Sequence, residues 1–213
     1  MNTLQLRNVS VGIGMRRLID GLSVDVQPGD CLTVMGPSGC GKSSLLAWLS
    51  GTLEAAFTAQ GSVRLGERVL DGLPPEQRRL GILFQDDLLF PHLSVGGNLA
   101  FALPAAVKGR AERNRRIDEA LHSAGLAGFA GRDPATLSGG QRARVALLRT
   151  LLAEPQALLL DEPFSKLDAA LREDFRQFTF AHARQRGLPT VLVTHDEADA
   201  CAAGGTVLPL GGD

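Results

Sequence analysis

Gly36-Pro37-Ser38-Gly39-Cys40-Gly41-Lys42-Ser43 reads G-x-x-x-x-G-K-S, with Ser44 directly behind it. Between an apolar strand and a helix, that spacing makes a phosphate-binding loop. The glycines let the backbone turn so that successive N–H groups face phosphate oxygens at the positive end of a helix dipole. A lysine at position 42 reaches the β- and γ-phosphates, and the Ser43 hydroxyl ligates Mg²⁺. Asp161 and Glu162 follow the apolar run 157–160. A carboxylate at the end of a buried strand beside such a loop holds Mg²⁺ through water, and a second one immediately after it polarises an attacking water as general base. In Leu137-Ser138-Gly139-Gly140-Gln141, Ser138 is a natural N-cap followed by glycine N–H groups, a second anion-binding helix terminus. Each feature alone has a plainer reading: a glycine-rich turn, a solvated acid pair, a capped helix without a ligand. Their coincidence in a chain whose only lysines are Lys42, Lys108 and Lys166 favours nucleotide chemistry.

These groups need elements to hold them. Alternation over 4–9 and 22–26 predicts strands, and 31–35 is the short apolar run of a strand covered on both faces. Helix is expected over 44–49, and further strands over 63–65 and 80–84. From 86 to about 152 strand signals vanish and helical patterns take over, at 95–103, 111–124 and 139–152. Strand character returns at 157–160 and 190–193, on either side of a helical stretch at 168–186, which makes a βαβ unit and hence a parallel sheet. An α/β core interrupted by a mostly helical insert is the expected architecture.

Composition narrows the function classes. The chain has 213 residues, 44% hydrophobic and 21% charged, with a net charge of −1. It has ample length for a core, is too apolar for disorder, and offers no electrostatic case for nucleic acid or anionic lipid. The longest apolar stretch, 99–107, is short and broken by Pro104, so no membrane span is expected. The opening Met1-Asn2-Thr3-Leu4-Gln5 has no basic segment or apolar stretch of a secretory signal. Cys31, Cys40 and Cys201 are too few and too far apart for a disulfide framework or a zinc site. Arg110, Arg113, Arg115 and Arg116 form a basic cluster, expected to be a solvated face.

With GPSGCGKSS at 36–44, LSGGQ at 137–141 and LLLDEP at 158–163, the chain resembles the ATP-binding subunit of ABC transporters over nearly its whole length. The resemblance implies an α/β fold: a P-loop NTPase (RecA-like) core with an N-terminal antiparallel β-subdomain and a mostly helical insert. It implies one ATPase domain over 1–213, in which 1–85 and 153–213 form the nucleotide-binding core and 86–152 the helical subdomain carrying the signature. The cofactors are ATP and Mg²⁺. Gly36, Pro37, Ser38, Gly39, Cys40, Gly41, Lys42, Ser43 and Ser44 cradle the nucleotide. Ser138, Gly139, Gly140 and Gln141 of a second copy close over it, with Asp168 as the D-loop aspartate. Ser43, Gln85 and Asp161 serve the metal, and Glu162, His195 and Gln85 serve catalysis. The working form is a head-to-tail homodimer, so an isolated monomer should hydrolyse poorly.

The segment 84–98 and Phe164 after Pro163 resemble import ATPases for polyamines, ferric iron, thiamine, sulfate and sugars. More closely, the chain is similar to a short bacterial ABC ATPase of an uptake-type operon. The implied partners are transmembrane permease subunits, docking on the region after Gln85, and an extracytoplasmic solute-binding protein. No nucleic acid is implied, and the implied location is peripheral, at the cytoplasmic face of the inner membrane. Leu88, Leu89 and Phe90 either line the groove for a permease helix or belong to the core of the insert. An export ABC ATPase, or a non-transport one acting in repair or translation, is the alternative; the latter usually carries large inserts or tandem units. A P-loop GTPase would need an Asn-Lys-x-Asp element, which is absent. Two departures stand out. The family usually stacks an aromatic on adenine before the second strand, but this chain has no tyrosine and no aromatic before Trp48. Ile13 falls near that position, with Val11 and Met15 beside it, and an aliphatic contact there would cost about 1 kcal/mol. The sequence also stops at Asp213, so the C-terminal regulatory domain of longer import ATPases is not expected.

Overall fold

A computed structural model describes residues 2–211; Met1, Gly212 and Asp213 lie outside the described residues. In chain order the elements are β1 (Leu4–Ile13), β2 (Arg16–Val26), β3 (Cys31–Met35), α1 (Lys42–Ser50), β4 (Phe57–Leu65), β5 (Arg68–Val69), α2 (Pro75–Arg78) and β6 (Leu80–Leu83). There follow α3 (Val95–Ala102), α4 (Arg110–Ser123), α5 (Gly139–Leu152), β7 (Ala157–Asp161), α6 (Ala169–Gln185), β8 (Thr190–Thr194), α7 (Glu197–Ala203) and β9 (Thr206–Pro209). The chain divides into two units, one of Met1–Ile82, Gln156–Glu162 and Phe180–Asp213, the other of Leu83–Pro155 and Pro163–Thr179. The expected insert 86–152 lies within the second, which also takes in 163–179.

The first unit holds two sheets. In one, ordered β2-β1-β4-β5, β1 pairs antiparallel with both neighbours and β4 with β5. Leu4, Leu6, Val9 and Val11 turn into the core while intervening residues face outward, the period-2 pattern of a half-buried sheet. In the other, ordered β6-β7-β8-β3-β9, β3 runs parallel to β8 and β9, and β7 parallel to β8. Here β3, β7 and β8 are buried along nearly their whole length, as expected of strands covered on both faces. Register does the functional work. Met35 lies opposite Thr194 and Asp161 opposite Val193, so the loops after β3, β7 and β8 leave from the same edge of the sheet. That carboxyl edge is where open α/β sheets bind ligands.

In the second unit, α3, α4 and α5 bury Val95, Leu99, Leu121, Val145 and Leu148 against one another. No strand occurs between 86 and 152 among the described residues, matching the loss of strand signals there. The basic cluster lies at the surface, as expected of a solvated face, with the Arg115 side chain 55% exposed, and it is internally paired as well. Arg115 and Arg116 share Glu112, Arg115 also pairs Glu119, and Arg116 also pairs Glu154. Arg113 instead donates to the carbonyls of Ala100 and Val107. The cluster is thus spent on intramolecular pairing, with Arg110 left exposed. No helix of the described residues is long and apolar enough to cross a membrane.

Candidate functional site

The loop 36–43 turns sharply because its glycines permit it. A Cβ on Gly36 would stand 2.4 Å from the Leu210 carbonyl oxygen and 2.8 Å from Cys40 Sγ. Gly41, at φ +104°, sits against Leu18 of β2, whose Cβ would be 2.8 Å from an added methyl. Helix α1 starts at Lys42 with no side-chain cap and no acidic residue in its first turn. Its first N–H groups are therefore left for an anion. The Lys42 ammonium is buried and donates to the carbonyls of Gly36 (2.7 Å) and Pro37 (2.9 Å).

The acidic pair stands beside this loop. Ser43 Oγ donates to Asp161 Oδ1 at 3.2 Å. Burial pushes the Asp161 carboxyl above its ordinary range, with the Glu162 charge adding to it and the Ser43 bond and Lys42 opposing it. Glu162 Oε1 lies 4.0 Å from Lys42 Nζ, and its Oε2 lies 3.2 Å from Nδ1 of His195. Glu162 has φ +46°, a left-handed conformation that a non-glycine residue holds only under constraint. Its N–H donates to the Val193 carbonyl at 2.9 Å, which fixes the turn. On the histidine side, the Thr194 hydroxyl donates to buried Asp199 at 2.7 Å and accepts from the Asp196 N–H at 3.1 Å. Asp196 caps α7 through the Ala198 N–H. Thr194, Asp196 and Asp199 were not singled out in the sequence; only the threonine–aspartate spacing around His195 could have pointed to them.

A hollow of 330 Å³ opens over the loop, lined by Ser38, Gly39, Lys42, Glu162, Ile13 and Phe57 among others. Of the three aliphatic residues expected near a base, only Ile13 lines it. Val11 is buried in the core, and Met15 lines a separate hollow with Arg17 and Asp20. Phe57, Arg16 and Leu18, the other side chains from the β-sheet, had no sequence signal of their own.

The remaining predicted residues belong to the second unit. Ser138 and Gln141 form a reciprocal capping box on α5: Ser138 Oγ accepts from the Gln141 N–H at 3.3 Å and Gln141 Oε1 from the Ser138 N–H at 3.0 Å. A Cβ on Gly140 would stand 3.2 Å from Leu171 Cδ2, so this turn packs against the start of α6. Asp168 accepts from the Leu171 N–H at 3.0 Å at the same helix start. Gln85 lines a 590 Å³ hollow with Leu88, Pro134, Arg142 and Lys166. Lys166 is ion-paired with Asp86, and Arg142 reaches Asp87 at 3.3 Å and the Leu137 carbonyl at 2.7 Å. Of the apolar trio, Leu89 packs on the helical core, whereas Leu88 is 58% exposed. Among the described residues no group of three or more His, Cys, Asp or Glu side chains is arranged to hold a metal ion by itself.

Residues 19–165 match the family model described as ABC transporter. The chain is 54% identical over 199 residues to the uncharacterized ABC transporter ATP-binding protein YnjD of Escherichia coli (strain K12), covering 93% of this chain and 91% of that protein. It is 42% identical over 192 residues to the diacetylchitobiose uptake system ATP-binding protein MsiK of Streptomyces coelicolor, covering 90% of this chain and 50% of that one. Against the maltose/maltodextrin import ATP-binding protein MalK of Salmonella typhimurium it is 39% identical over 210 residues, covering 99% and 56%. The chain thus spans nearly all of YnjD but about half the length of MsiK and MalK.

Proposed function

The chain belongs to the ABC transporter family, as an ATP-binding and ATP-hydrolysing subunit, and on that premise we propose that it powers a membrane importer, with 1–213 acting as one ATPase domain. One observation carries the reading: Lys42, Ser43, Asp161, Glu162 and His195 converge at a single sheet edge, with Ser43 Oγ 3.2 Å from Asp161 and Glu162 between Lys42 and His195. The triphosphate lies on the N–H groups of 36–44. Lys42 exchanges its two carbonyl partners for phosphate oxygens.

Ser43 and Asp161 suit Mg²⁺. A half-buried carboxylate beside a hydroxyl and a second acid gains from an added cation, and an ion completed by phosphate and water needs no protein cage. Bound there, Mg²⁺ would neutralise charge on the phosphate oxygens. Gln85 would be a further residue to hold it, a role that the family resemblance alone supplies. Glu162 is the base that takes the proton of the attacking water, with His195 at 3.2 Å orienting its carboxylate. Ser138, Gly139, Gly140 and Gln141 of a second copy, with Asp168 beside them, close over the triphosphate. Two helix termini then neutralise what one leaves unshielded.

The names of MsiK and MalK support uptake rather than export. The region after Gln85 receives permease subunits, which place the protein at the cytoplasmic face of the inner membrane, and an extracytoplasmic solute-binding protein delivers the cargo. Nucleic acid has no part in this scheme. Glu162→Gln is expected to keep ATP binding, lose hydrolysis by at least about a hundredfold, and run as an ATP-trapped dimer in size-exclusion chromatography. Hydrolysis at the parent rate would remove Glu162 from its role.

A further inference from the structure

The β-sheet side of the hollow over the phosphate loop is lined by Leu18 and by a row of three side chains. Ile13, the last residue of β1, lies directly opposite Arg16 of β2 and directly opposite Phe57 of β4. Directly opposed residues project to the same face with Cβ atoms about 5 Å apart. Arg16, Ile13 and Phe57 accordingly stand side by side, and all three line the hollow that also contains Ser38, Gly39 and Lys42. Leu18 of β2 rests on Gly41, so the row is braced on the loop it faces. Ile13 offers only a 40%-exposed aliphatic edge. Phe57 offers the one aromatic face in the row.

We propose that the purine base of the bound nucleotide stacks on Phe57 of β4, beside Ile13 and the Arg16 guanidinium, and is chosen by stacking alone, so that guanine is accepted as well as adenine. The inference rests on the phosphate-loop reading above and adds the residue that takes the base. Stacking tolerates any base because every base has a π-face. Selection of adenine would need an acceptor for its exocyclic amino group. Phenylalanine and isoleucine have none, and arginine only donates. Its donors match the N7 and O6 acceptors of guanine at least as well as adenine's single N7.

The test is calorimetric titration of the full chain in Mg²⁺ with the imido analogues of ATP and GTP and with inorganic tripolyphosphate, which has no base. Phe57→Leu keeps the apolar bulk and removes the ring. It is expected to weaken both analogues by about five- to tenfold, the lower part of the range for losing a base–aromatic stack, and to leave tripolyphosphate unchanged. Phe57→Trp should hold or tighten both. The parent should bind the two analogues within about threefold of each other, as stacking without edge recognition requires. Unchanged analogue binding in Phe57→Leu, an equal loss of analogue and tripolyphosphate, or a preference for ATP above about tenfold would each overturn the proposal. Failure of the parent to bind even tripolyphosphate would instead overturn the phosphate-loop reading beneath it.

Discussion

Lys42 donates to the carbonyls of Gly36 and Pro37, so the group that is to bind phosphate also pins the backbone of its own loop. The conformation of the loop therefore decides access. Cys40 shows how tightly that conformation is packed: its sulfur lies 2.8 Å from where a Cβ on Gly36 would stand, and its Cβ is 3.3 Å from the corresponding point on Gly211. Any group added to that sulfur must displace the loop. The three thiols consequently separate by environment. Cys201 is exposed, Cys40 is buried in the loop, and Cys31 is buried in β3 with its pKa pushed up to about 11, chiefly by desolvation. A thiol is reactive only as thiolate, so at pH 8 about one Cys31 in a thousand is competent, rising tenfold with each pH unit below its pKa. Maleimide at pH 8 should label Cys201 first, Cys40 slowly and Cys31 not at all, as read by peptide mass spectrometry. Labelling at Cys201 alone should leave ATP binding intact, and labelling at Cys40 should abolish it. Full ATP binding after verified modification of Cys40 would show that the loop does not need its packed geometry.

Helices and strands carry these side chains, and one buried amide shows what an element demands. Asn98 of α3 is fully buried. Its side chain accepts from the Phe90 N–H at 2.8 Å and donates to the carbonyls of Phe90 (3.1 Å), Leu93 (3.3 Å) and Ser94 (3.1 Å). From α5, Arg149 donates to the Leu88 and Asp87 carbonyls and lies 5.5 Å over the Phe90 ring. The irregular stretch after Gln85 is thus tied to helices on both sides. Asn98→Ala strands several buried backbone groups at once and should cost about 2–3 kcal/mol. For a chain of this size that lowers the thermal midpoint by about 5–10 °C in circular dichroism, and a shift below about 1 °C would mean water replaces the amide freely. Asn98 also marks where the sequence stops being legible. The phosphate loop, β3 and β7 were readable because short apolar runs leading into glycine or acid are local signals, and β8 because its apolar run follows a long helical stretch. The role of Asn98, the Thr194–Asp199 bond and the Phe57–Ile13 pairing depend on contacts between distant segments, to which periodicity is blind. The N-terminal half of β2 was missed because Arg16, Arg17, Asp20 and Gly21 break the alternation, and β9 because Thr206–Pro209 is short and mostly exposed.

For the molecule as a whole, the question is what holds it at a membrane. Its net charge of −1 gives no general attraction to anionic lipid, Arg115 and Arg116 of α4 are paired with Glu112, Glu119 and Glu154, and none of its described helices can span a bilayer. On the proposed reading, the region after Gln85 is held there by apolar contact with permease subunits already in the membrane. Leu88 is 58% and Phe101 71% exposed, and Phe101 stacks edge-on against Phe90 at 4.9 Å, so the second unit presents apolar side chains to solvent at Leu88 and at the Phe90–Phe101 pair. A surface of that kind is held by desolvation and is insensitive to salt, unlike a polybasic patch, whose hold falls within a Debye length. Co-expressed with its permease subunits, the parent chain should sediment with membranes and stay there through a wash at about 0.5 M salt, where screening length is only a few ångströms. The double variant Leu88→Glu, Phe101→Glu should move to the supernatant, since each substitution buries an unpaired charge at the contact. Its binding of the imido analogue of ATP should stay within about twofold of the parent, because neither side chain lines the hollow over the phosphate loop. Release of the parent by salt alone would make the attachment electrostatic, and a double variant that still sediments would place the permease contact elsewhere on the molecule.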